Sequence, residues 1–255
     1  MAKLTMDEIN GVKAKGFLRN RGTDMFSGRI VPVGTVFTAA QLRDAAELAE
    51  RFGNGKLMAT SRQSIEVPGI AYENIPAAIE FAEAHDLHFG GTGAKVRPIT
   101  ACKGTTCVFG MYDTQALAQK IHEVYYVGWS KVSLPHKFKI SVGGCPNSCI
   151  KPSLNDFGVE GNREGGAVVY KIYVGGTWGR TCRMGTALSR KVSEEEILPI
   201  LEKSILWFRE NGYAKERFGL AIDRVGFEAF EAAIMGDDLL ARKEEILAAP
   251  IKQKP

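Results

Sequence analysis

Four of the five cysteines in this chain lie in two close pairs, and this arrangement restricts the fold more than any other feature of the sequence. Cys102 and Cys107 are separated by four residues, and Cys145 and Cys149 by three, with a long helix-bearing stretch between the pairs. The surrounding segments, ACKGTTC and GGCPNSC, are rich in glycine and polar residues. Such composition indicates loops rather than buried core positions. A site that used all four thiols would therefore need a fold that brings two distant loops together.

Three kinds of site are compatible with these spacings. A structural zinc site binds four thiolates in a tetrahedron, although its paired ligands are often only two residues apart. Buried free cysteines act as small hydrophobic side chains, an interpretation that the polar neighbours disfavour. An iron–sulfur cluster accepts wider spacings because its cube presents four separated iron corners. Spacing alone favours a cluster and leaves a zinc site as an alternative. The fifth cysteine, Cys182, lies outside the two pairs and is predicted to be a packing thiol.

The residues around Cys145 predict how its thiolate is stabilised. Cys145-Pro146 is typical of the start of a helix, where the missing N–H of proline has no consequence. Gly143 and Gly144 allow backbone N–H groups to turn toward the sulfur atoms. Such donors and the positive end of a helix stabilise thiolates and tune a redox potential.

Two lysines precede the second cysteine pair in the segment KFKISV, which is predicted to be a strand. Side chains at alternate strand positions share a face, so Lys137 and Lys139 point together and Phe138 points the other way. Such lysines are often only solvated, but a pair that leads into a cysteine loop indicates a pocket for a small anion. Arg62, between two short predicted strands, is a further candidate donor. Four further cations lie in or near glycine-containing stretches: Arg29, Arg97, Arg180 and Arg183. The four histidines do not form a ligand pattern and are predicted to lie at the surface or to pack against other residues: His85, His88, His122 and His136.

The pattern of strands and helices predicts two domains. The first half reads as a strand over residues 26–33, a helix from Thr38 to Gly53, two short strands (KLMAT and SIEV) and the helix YENIPAAIEFAEAHDL. A unit of this size is about half of a larger α+β layer. The glycine-rich stretch HFGGTGAKVRPIT marks the boundary, which gives domains over 1–95 and 96–255. The later elements are the helix after ACKGTTC, the strands KFKISV and AVVYKIYVGG, the helix SEEEILPILEKSILWFRENG with a capping box and a kink at Pro199, and the terminal helical stretches GFEAFEAAIMG and DDLLARKEEILAA.

Composition excludes several classes of function. With 45% hydrophobic and 24% charged residues, the chain has the make-up of a globular protein. A net charge of +4 gives no reason to expect nucleic acid or a membrane as partner. No apolar run is long enough to span a bilayer, and the first residues lack the apolar core of a signal peptide, so the expected location is cytoplasmic. A phosphate loop, a nucleophile elbow and a convincing dinucleotide fingerprint are also missing from the sequence.

Four segments together carry a resemblance to a known family: GGCPNSC with its upstream cysteine pair, LPHKFKISV, TSRQSIEVPGI and YVGGTWGRTCRM. The chain resembles the sirohaem-dependent sulfite and nitrite reductases from about Arg29 to about Phe230. The resemblance implies an α+β fold, in which a ferredoxin-like half domain is followed by an α/β domain that binds sirohaem and a 4Fe–4S cluster. It implies six-electron reduction of sulfite to sulfide. The alternatives are reduction of nitrite to ammonia and a non-catalytic 4Fe–4S electron-transfer protein, with a zinc-stabilised binding module ranked below them.

The resemblance also implies roles for individual residues. The cluster ligands would be Cys102, Cys107, Cys145 and Cys149, with Cys149 also bridging to the sirohaem iron. The substrate anion would be held by Lys137, Lys139 and Arg62. Contacts to the carboxylates of sirohaem would come from Arg29, Arg97, Asn147 and Arg180. No flavin or pyridine-nucleotide module is visible, so the electron donor is expected to be another protein.

Three departures from the family pattern affect these expectations. Four residues rather than five separate the first two cysteines, and Val31 stands where the large enzymes have a second arginine on the early strand. The large enzymes contain two copies of the unit, with the lysines in one and the cysteines in the other, whereas this sequence has both sets in one copy. We therefore expect two chains to pair about a two-fold axis. The sequence leaves open whether the lysines serve the sirohaem of their own chain or of the partner.

Overall fold

The computed structural model of the protein describes residues 4–255, which form two compact units that divide between Gly93 and Ala94. The first unit contains a four-stranded antiparallel sheet in the order β1-β2-β4-β3. Its elements are α1 (Met6–Ala14), β1 (Phe17–Arg19), β2 (Met25–Ile30), α2 (Ala39–Phe52), β3 (Met58–Ala59), β4 (Ile65–Ala71) and α3 (Ile75–Ala84).

Helix α2 illustrates how local sequence determines an element of the first unit. Thr38 accepts a hydrogen bond from the Gln41 N–H at 3.1 Å, and the Gln41 side chain accepts one from the Thr38 N–H at 3.0 Å. This capping box fixes the start of the helix, and Gly53 ends it. Ala45, Leu48 and Ala49 face the core of the unit. The helix predicted between Thr38 and Gly53 is thus confirmed.

Two predictions for the first unit need correction or completion. The strand predicted over residues 26–33 ends at Ile30, shortly before Pro32, which has no N–H to donate to a sheet. The predicted short strands are present as β3 and β4, which pair in an antiparallel register. Arg62 lies in the turn between them. Helix α1 and strand β1 were not predicted.

The second unit contains a five-stranded mixed sheet in the order β5-β6-β7-β8-β9. Strands β5, β6 and β7 are mutually parallel, and β8 and β9 continue the sheet in antiparallel fashion. Its strands are β5 (Thr100–Ala101), β6 (Ile140–Gly143), β7 (Phe157–Glu164), β8 (Ala167–Val174) and β9 (Thr186–Ala187). Its helices are α4 (Thr114–Ile121), which continues as a π-helical turn over His122–Val127, then α5 (Glu194–Asn211), α6 (Phe218–Val225), α7 (Phe227–Met235), α8 (Asp238–Ala241) and α9 (Lys243–Ala248).

Helix α5 is the longest element of the second unit in the described residues. It begins where the Ser193 N–H donates to the Glu196 carboxylate at 2.8 Å, and it ends at Gly212. The helix is continuous through Pro199. Trp207 and Phe208 of α5 pack against Phe218 of α6 in an aromatic cluster at the centre of the core. The predicted capping of this helix is confirmed.

Two local predictions in the second unit are wrong. The strand predicted over KFKISV begins only at Ile140, so Lys137 and Lys139 precede β6 instead of lying within it. Cys145-Pro146 starts a turn rather than a helix: the Ser148 N–H donates to the Cys145 carbonyl at 3.1 Å, and Ser148 has a φ of +52°. A residue in the left-handed region cannot continue a right-handed helix. Within residues 4–255, no helix is long and apolar enough to cross a membrane.

Candidate functional site

The parallel part of the second sheet brings the two cysteine pairs to one edge. Cys102 follows β5 directly, and Cys145 follows β6 after Gly144. Strands β5 and β6 are neighbours, with Ala101 opposite Val142. Because parallel strands end at the same edge, both loops emerge side by side. The carboxyl edge of a parallel sheet is a common position for ligand sites.

All four paired cysteines line a single cavity of about 290 Å³ at this edge. Cys102, Cys107 and Cys145 are half-buried, whereas Cys149 is exposed. Phe109 and Asn147 also contribute to the wall. The structure therefore brings together the four thiols that the sequence singled out. Cys149 is the one of the four that is exposed.

Hydrogen bonds around Cys102 suit a thiolate. The Gly144 N–H donates to the Cys102 sulfur at 3.2 Å. Thr114 donates to the Cys102 carbonyl at 2.6 Å, and its hydroxyl lies 3.9 Å from the sulfur. Gly143 has a different role from the predicted one, because it lies in β6 and its carbonyl accepts a bond from the Tyr112 hydroxyl at 3.0 Å. A backbone donor to a thiolate stabilises its charge, so part of the predicted stabilisation is present without the helix.

The four thiols lie in the wall of one cavity, which bears on the kind of metal site they could form. Among residues 4–255, no group of three or more His, Cys, Asp or Glu side chains is arranged to hold one metal ion. A tetrahedral zinc site needs its four ligands gathered around one point. Here the thiols line the wall of a cavity, an arrangement compatible with the separated iron corners of a cluster.

The opposite, amino edge of the same strands carries positive charge. Lys137 and Lys139 immediately precede β6 and flank the buried Phe138. Arg97 precedes β5, and its N–H donates to the Phe138 carbonyl at 2.8 Å. Arg217 precedes α6, and its guanidinium donates to Asp156, whose carboxylate also accepts the Lys139 N–H. The two lysines keep the predicted alternation with Phe138, although they are not in a regular strand.

The cations at this edge act on one another electrostatically. Burial lowers the pKa of Lys137, and the positive charges of Arg217 and Arg97 lower it further, while Asp156 acts in the opposite direction. Burial, followed by Arg217 and Lys137, lowers the pKa of His136 to about 4. The Lys137 N–H donates to His136 Nδ1 at 2.7 Å. His136 is therefore a neutral acceptor at this edge, and the surroundings favour binding of an anion.

The sequence did not reveal two residues that organise this edge, Asp156 and Arg217. Asp156 is fully buried, and both of its carboxylate oxygens accept bonds from Arg217 at 2.9 Å. One of the same oxygens accepts the Lys139 N–H at 2.8 Å. The two residues lie 61 positions apart, so no local pattern could have connected them. Apart from a lone acidic residue just before an apolar stretch, the sequence held no signal.

The remaining predicted residues lie elsewhere. Arg29 belongs to the first unit, where its Nε and Nη2 donate to Glu66 at 2.9 and 2.6 Å and its Nη1 donates to the Gly91 carbonyl at 2.8 Å. Arg62 is half-buried in the turn of that unit. Asn147 lies at the cysteine cavity.

A hairpin closed by Thr177 and Arg183 holds the last candidates. Arg180 is exposed near its tip, whereas the Arg183 guanidinium binds Asp223 and the Gly175 carbonyl. Cys182 is exposed in this hairpin, so the predicted packing role is wrong. Its position near the tip of a loop leaves it without the surrounding side chains that packing requires.

Comparisons with known proteins agree on one family. The family model described as "Nitrite and sulphite reductase 4Fe-4S domain" matches residues 92–241, and "Nitrite/Sulfite reductase ferredoxin-like half domain" matches residues 19–85. The nitrite reductase [NAD(P)H] of Bacillus subtilis is 27% identical over 79% of this chain and 24% of its own length. The assimilatory-type sulfite reductase of Nitratidesulfovibrio vulgaris is 31% identical over 55% of this chain and 62% of its own length.

A solved structure has the same fold. The NirA protein of Mycobacterium tuberculosis superposes with a TM-score of 0.79 at 19% identity, over 99% of this chain and 49% of that one. The predicted α+β fold, a ferredoxin-like half domain followed by a reductase domain, is confirmed by these matches. The chain spans less than two thirds of the length of the curated relatives it matches.

Proposed function

Because the chain belongs to the family of nitrite and sulphite reductase 4Fe-4S domain proteins, we propose that it binds a 4Fe–4S cluster and sirohaem and reduces sulfite to sulfide. The observation that carries this proposal is the single cavity lined by four cysteines from two distant loops. Cys102, Cys107, Cys145 and Cys149 would hold the cluster. The exposed Cys149 would be the thiol shared with the sirohaem iron.

The cofactors and the protein would divide the chemistry between them. When bound, the cluster and sirohaem would supply electrons one at a time to a coordinated anion. Lys137 and Lys139 would attract and orient that anion, and Arg62 would be a third donor. Each oxygen that leaves as water needs protons, and the lowered pKa of Lys137 makes its proton easier to release. Cationic donors also stabilise the charge that develops as S–O bonds weaken.

The sirohaem carboxylates need positive partners. Arg97 and Arg180 are the candidates that the second unit provides, and Asn147 lies beside the cysteines. Arg29 is a weaker candidate because all three of its guanidinium nitrogens already donate within the first unit. We include in the proposal a separate electron-donor protein and a homodimer.

Two alternatives are supported by particular observations. Nitrite is favoured as substrate by the similarity to a nitrite reductase, and the lysine pair suits either anion. A non-catalytic electron-transfer role is favoured by the short spacing between Cys102 and Cys107 and by the engagement of Arg29 with Glu66.

The test begins with the protein expressed with a supply of sirohaem and purified without oxygen. We expect absorption bands of an isobacteriochlorin that shift when sulfite or nitrite is added to the reduced protein, and oxidation of reduced methyl viologen that depends on one anion. A cluster spectrum without turnover would support the electron-transfer alternative. Zinc without iron or sulfide would overturn the proposal.

Variants assign the ligands. Cys145→Ser should lower the iron and sulfide content, whereas Cys182→Ser, which changes an exposed cysteine that does not line the cavity, should leave both unchanged. Lys137→Gln should weaken sulfite binding. The matched change at the exposed Lys131 should have no effect.

A further inference from the structure

Asp156 is a buried carboxylate that contacts the proposed anion site through the main-chain N–H of Lys139. It is completely buried, yet it is neither predicted by the sequence nor part of the roles proposed above. Burial of a carboxylate is unfavourable unless charged or polar donors surround it. Its donors are the Arg217 guanidinium and the Lys139 main chain, so it connects the lysine segment to the start of α6.

A second contact links the same two segments. Phe138, between the two lysines, packs on Phe218, the residue after Arg217, with ring centroids 5.0 Å apart. Both rings are fully buried. The aromatic contact and the carboxylate therefore hold the lysine segment on both its apolar and its polar side. These contacts add to the backbone bonds of the segment, in which Phe138 forms an isolated bridge with Val96 and the Lys139 carbonyl accepts the Phe157 N–H at 3.0 Å.

The same carboxylate affects the charge around Lys137. The groups that act on Lys137 are Arg217, Arg97 and Asp156, and His136 accepts its N–H. The two arginines make it easier for the ammonium to lose a proton, and Asp156 makes it harder. Arg217 and Asp156 thus oppose each other at Lys137 while they bind one another.

We propose that Asp156 and Arg217 are positioning residues for the anion site, which hold the segment 137–139 in place and balance the charge that Lys137 experiences. This inference rests on the proposed function, because it assigns the pair to the lysines that would hold sulfite or nitrite. Neither residue is proposed to touch the anion. Their effect passes through the Lys139 main chain and through the field at Lys137.

If Asp156 and Arg217 balance the charge at Lys137, their substitution should change the pH at which Lys137 loses its proton. A purely structural role predicts no such change. Asp156→Asn keeps the size of the side chain and an oxygen that can accept the Lys139 N–H, but removes the negative charge. Lys137 should then lose its proton at lower pH. Arg217→Gln removes a positive charge, so Lys137 should lose its proton at higher pH. The double variant should return the Lys137 titration close to that of the wild type.

The experiment measures the reactivity of individual lysines in the full chain. A trace amount of an amine-acylating reagent is added over a range of pH, and the modified peptides are quantified by mass spectrometry, because only the neutral amine reacts. Lys131, which is exposed, serves as the reference, and Lys203, which is 7% exposed, reports unfolding. A variant in which Lys203 stays protected is folded, and only such variants are compared. Arg217→Lys keeps the charge and should leave the Lys137 titration unchanged.

Opposite shifts for Asp156→Asn and Arg217→Gln, cancelled in the double variant, would support the proposal. Shifts in the same direction, or unchanged titration of Lys137 in folded variants, would overturn it. Because labelling needs neither cofactor nor turnover, it separates this inference from the proposed function. In active protein, the pH profile of anion-dependent methyl viologen oxidation should move in the same directions as the labelling midpoint. If the labelling shifts are opposite but the protein reduces neither sulfite nor nitrite, the roles of Asp156 and Arg217 at Lys137 would be supported. The proposed reductase activity would be refuted.

Discussion

The loop between Cys102 and Cys107 depends on Gly104 for a shape that no other residue can adopt without strain. Gly104 has a φ of +52°, and a Cβ added there would lie 2.6 Å from the Thr114 hydroxyl and 2.9 Å from the Thr114 N. The second of these atoms belongs to the backbone of α4, which cannot rotate away. We therefore expect Gly104→Ala to displace the loop and with it the two cysteines.

The structure provides a matched control for the size of this effect. Gly165, in the turn between β7 and β8, has nearly the same φ of +55° but no atom within 4 Å of an added Cβ. A left-handed alanine costs about 1–2 kcal/mol at either position. At Gly104 the contact with Thr114 adds about 1–3 kcal/mol, the usual cost of overpacking. Gly104→Ala should thus lower the free energy of unfolding by about 1–3 kcal/mol more than Gly165→Ala does.

Tryptophan fluorescence during urea unfolding measures this difference, because Trp129, Trp178 and Trp207 all lie in the second unit. Iron and sulfide content, measured in parallel, should fall for Gly104→Ala and stay at the wild-type level for Gly165→Ala. Equal destabilisation by the two variants with full iron content in both would refute the reasoning, because the loop would then not pack against Thr114 as described.

Three further changes test individual contacts. Tyr112→Phe removes the donor to the Gly143 carbonyl and should lower the free energy of unfolding by about 1–3 kcal/mol in the same fluorescence assay. Arg29→Gln leaves Glu66 without its charged partner, so it should destabilise the first unit, seen by circular dichroism on heating, without weakening anion binding. The pKa of His136 is lowered from 6.5 to about 4. The unfolded chain therefore binds a proton between these values that the folded chain does not, and stability falls as pH falls through that window. His136→Asn, which keeps an acceptor but cannot titrate there, should show a smaller decrease in the urea midpoint between pH 6.5 and 4 than the wild type.

The predictions that the structure confirms depend on short-range chemistry. The starts of α2 and α5 were predicted correctly because capping hydrogen bonds join residues only three positions apart. The pairs are Thr38 with Gln41 and Ser193 with Glu196. Hydrophobic periodicity likewise indicated the long amphipathic helices. Such signals lie within one turn of a helix and are visible in the sequence.

The features that the sequence missed depend on contacts between distant segments. The strand KFKISV was predicted too long because its alternation of charged and apolar residues is genuine, whereas the Lys139 N–H binds Asp156 instead of a neighbouring strand. The turn at Cys145 was predicted as a helix because proline suits both structures, and the left-handed Ser148 decides between them. Convergence of the cysteine loops follows from the parallel pairing of β5 and β6, which local sequence does not specify.

The sheet places the lysines and the cysteines at opposite edges. Lys139 precedes β6 and Gly144 follows it, so the four residues of the strand separate the two groups by about 13 Å. The cysteines that would hold the cluster thus lie at the edge away from the lysines of the same chain. In the proposed homodimer, a two-fold axis can bring the amino edge of one copy to the carboxyl edge of the other. The separation therefore favours lysines that serve the partner's metal site.

Hybrid dimers test this arrangement. One chain carries Lys137→Gln and Lys139→Gln, the other carries Cys149→Ser, and distinct affinity tags allow the mixed dimer to be purified. Neither parent dimer should reduce sulfite or nitrite. If the lysines serve the partner, the hybrid contains one complete site, and its activity should be about half that of the wild type, as statistical reconstitution of one of two symmetric sites requires. If they serve their own chain, both sites of the hybrid are defective. An inactive hybrid with normal iron content in the lysine-substituted chain would therefore show that each copy uses its own lysines, despite the strand that lies between them and the cysteines.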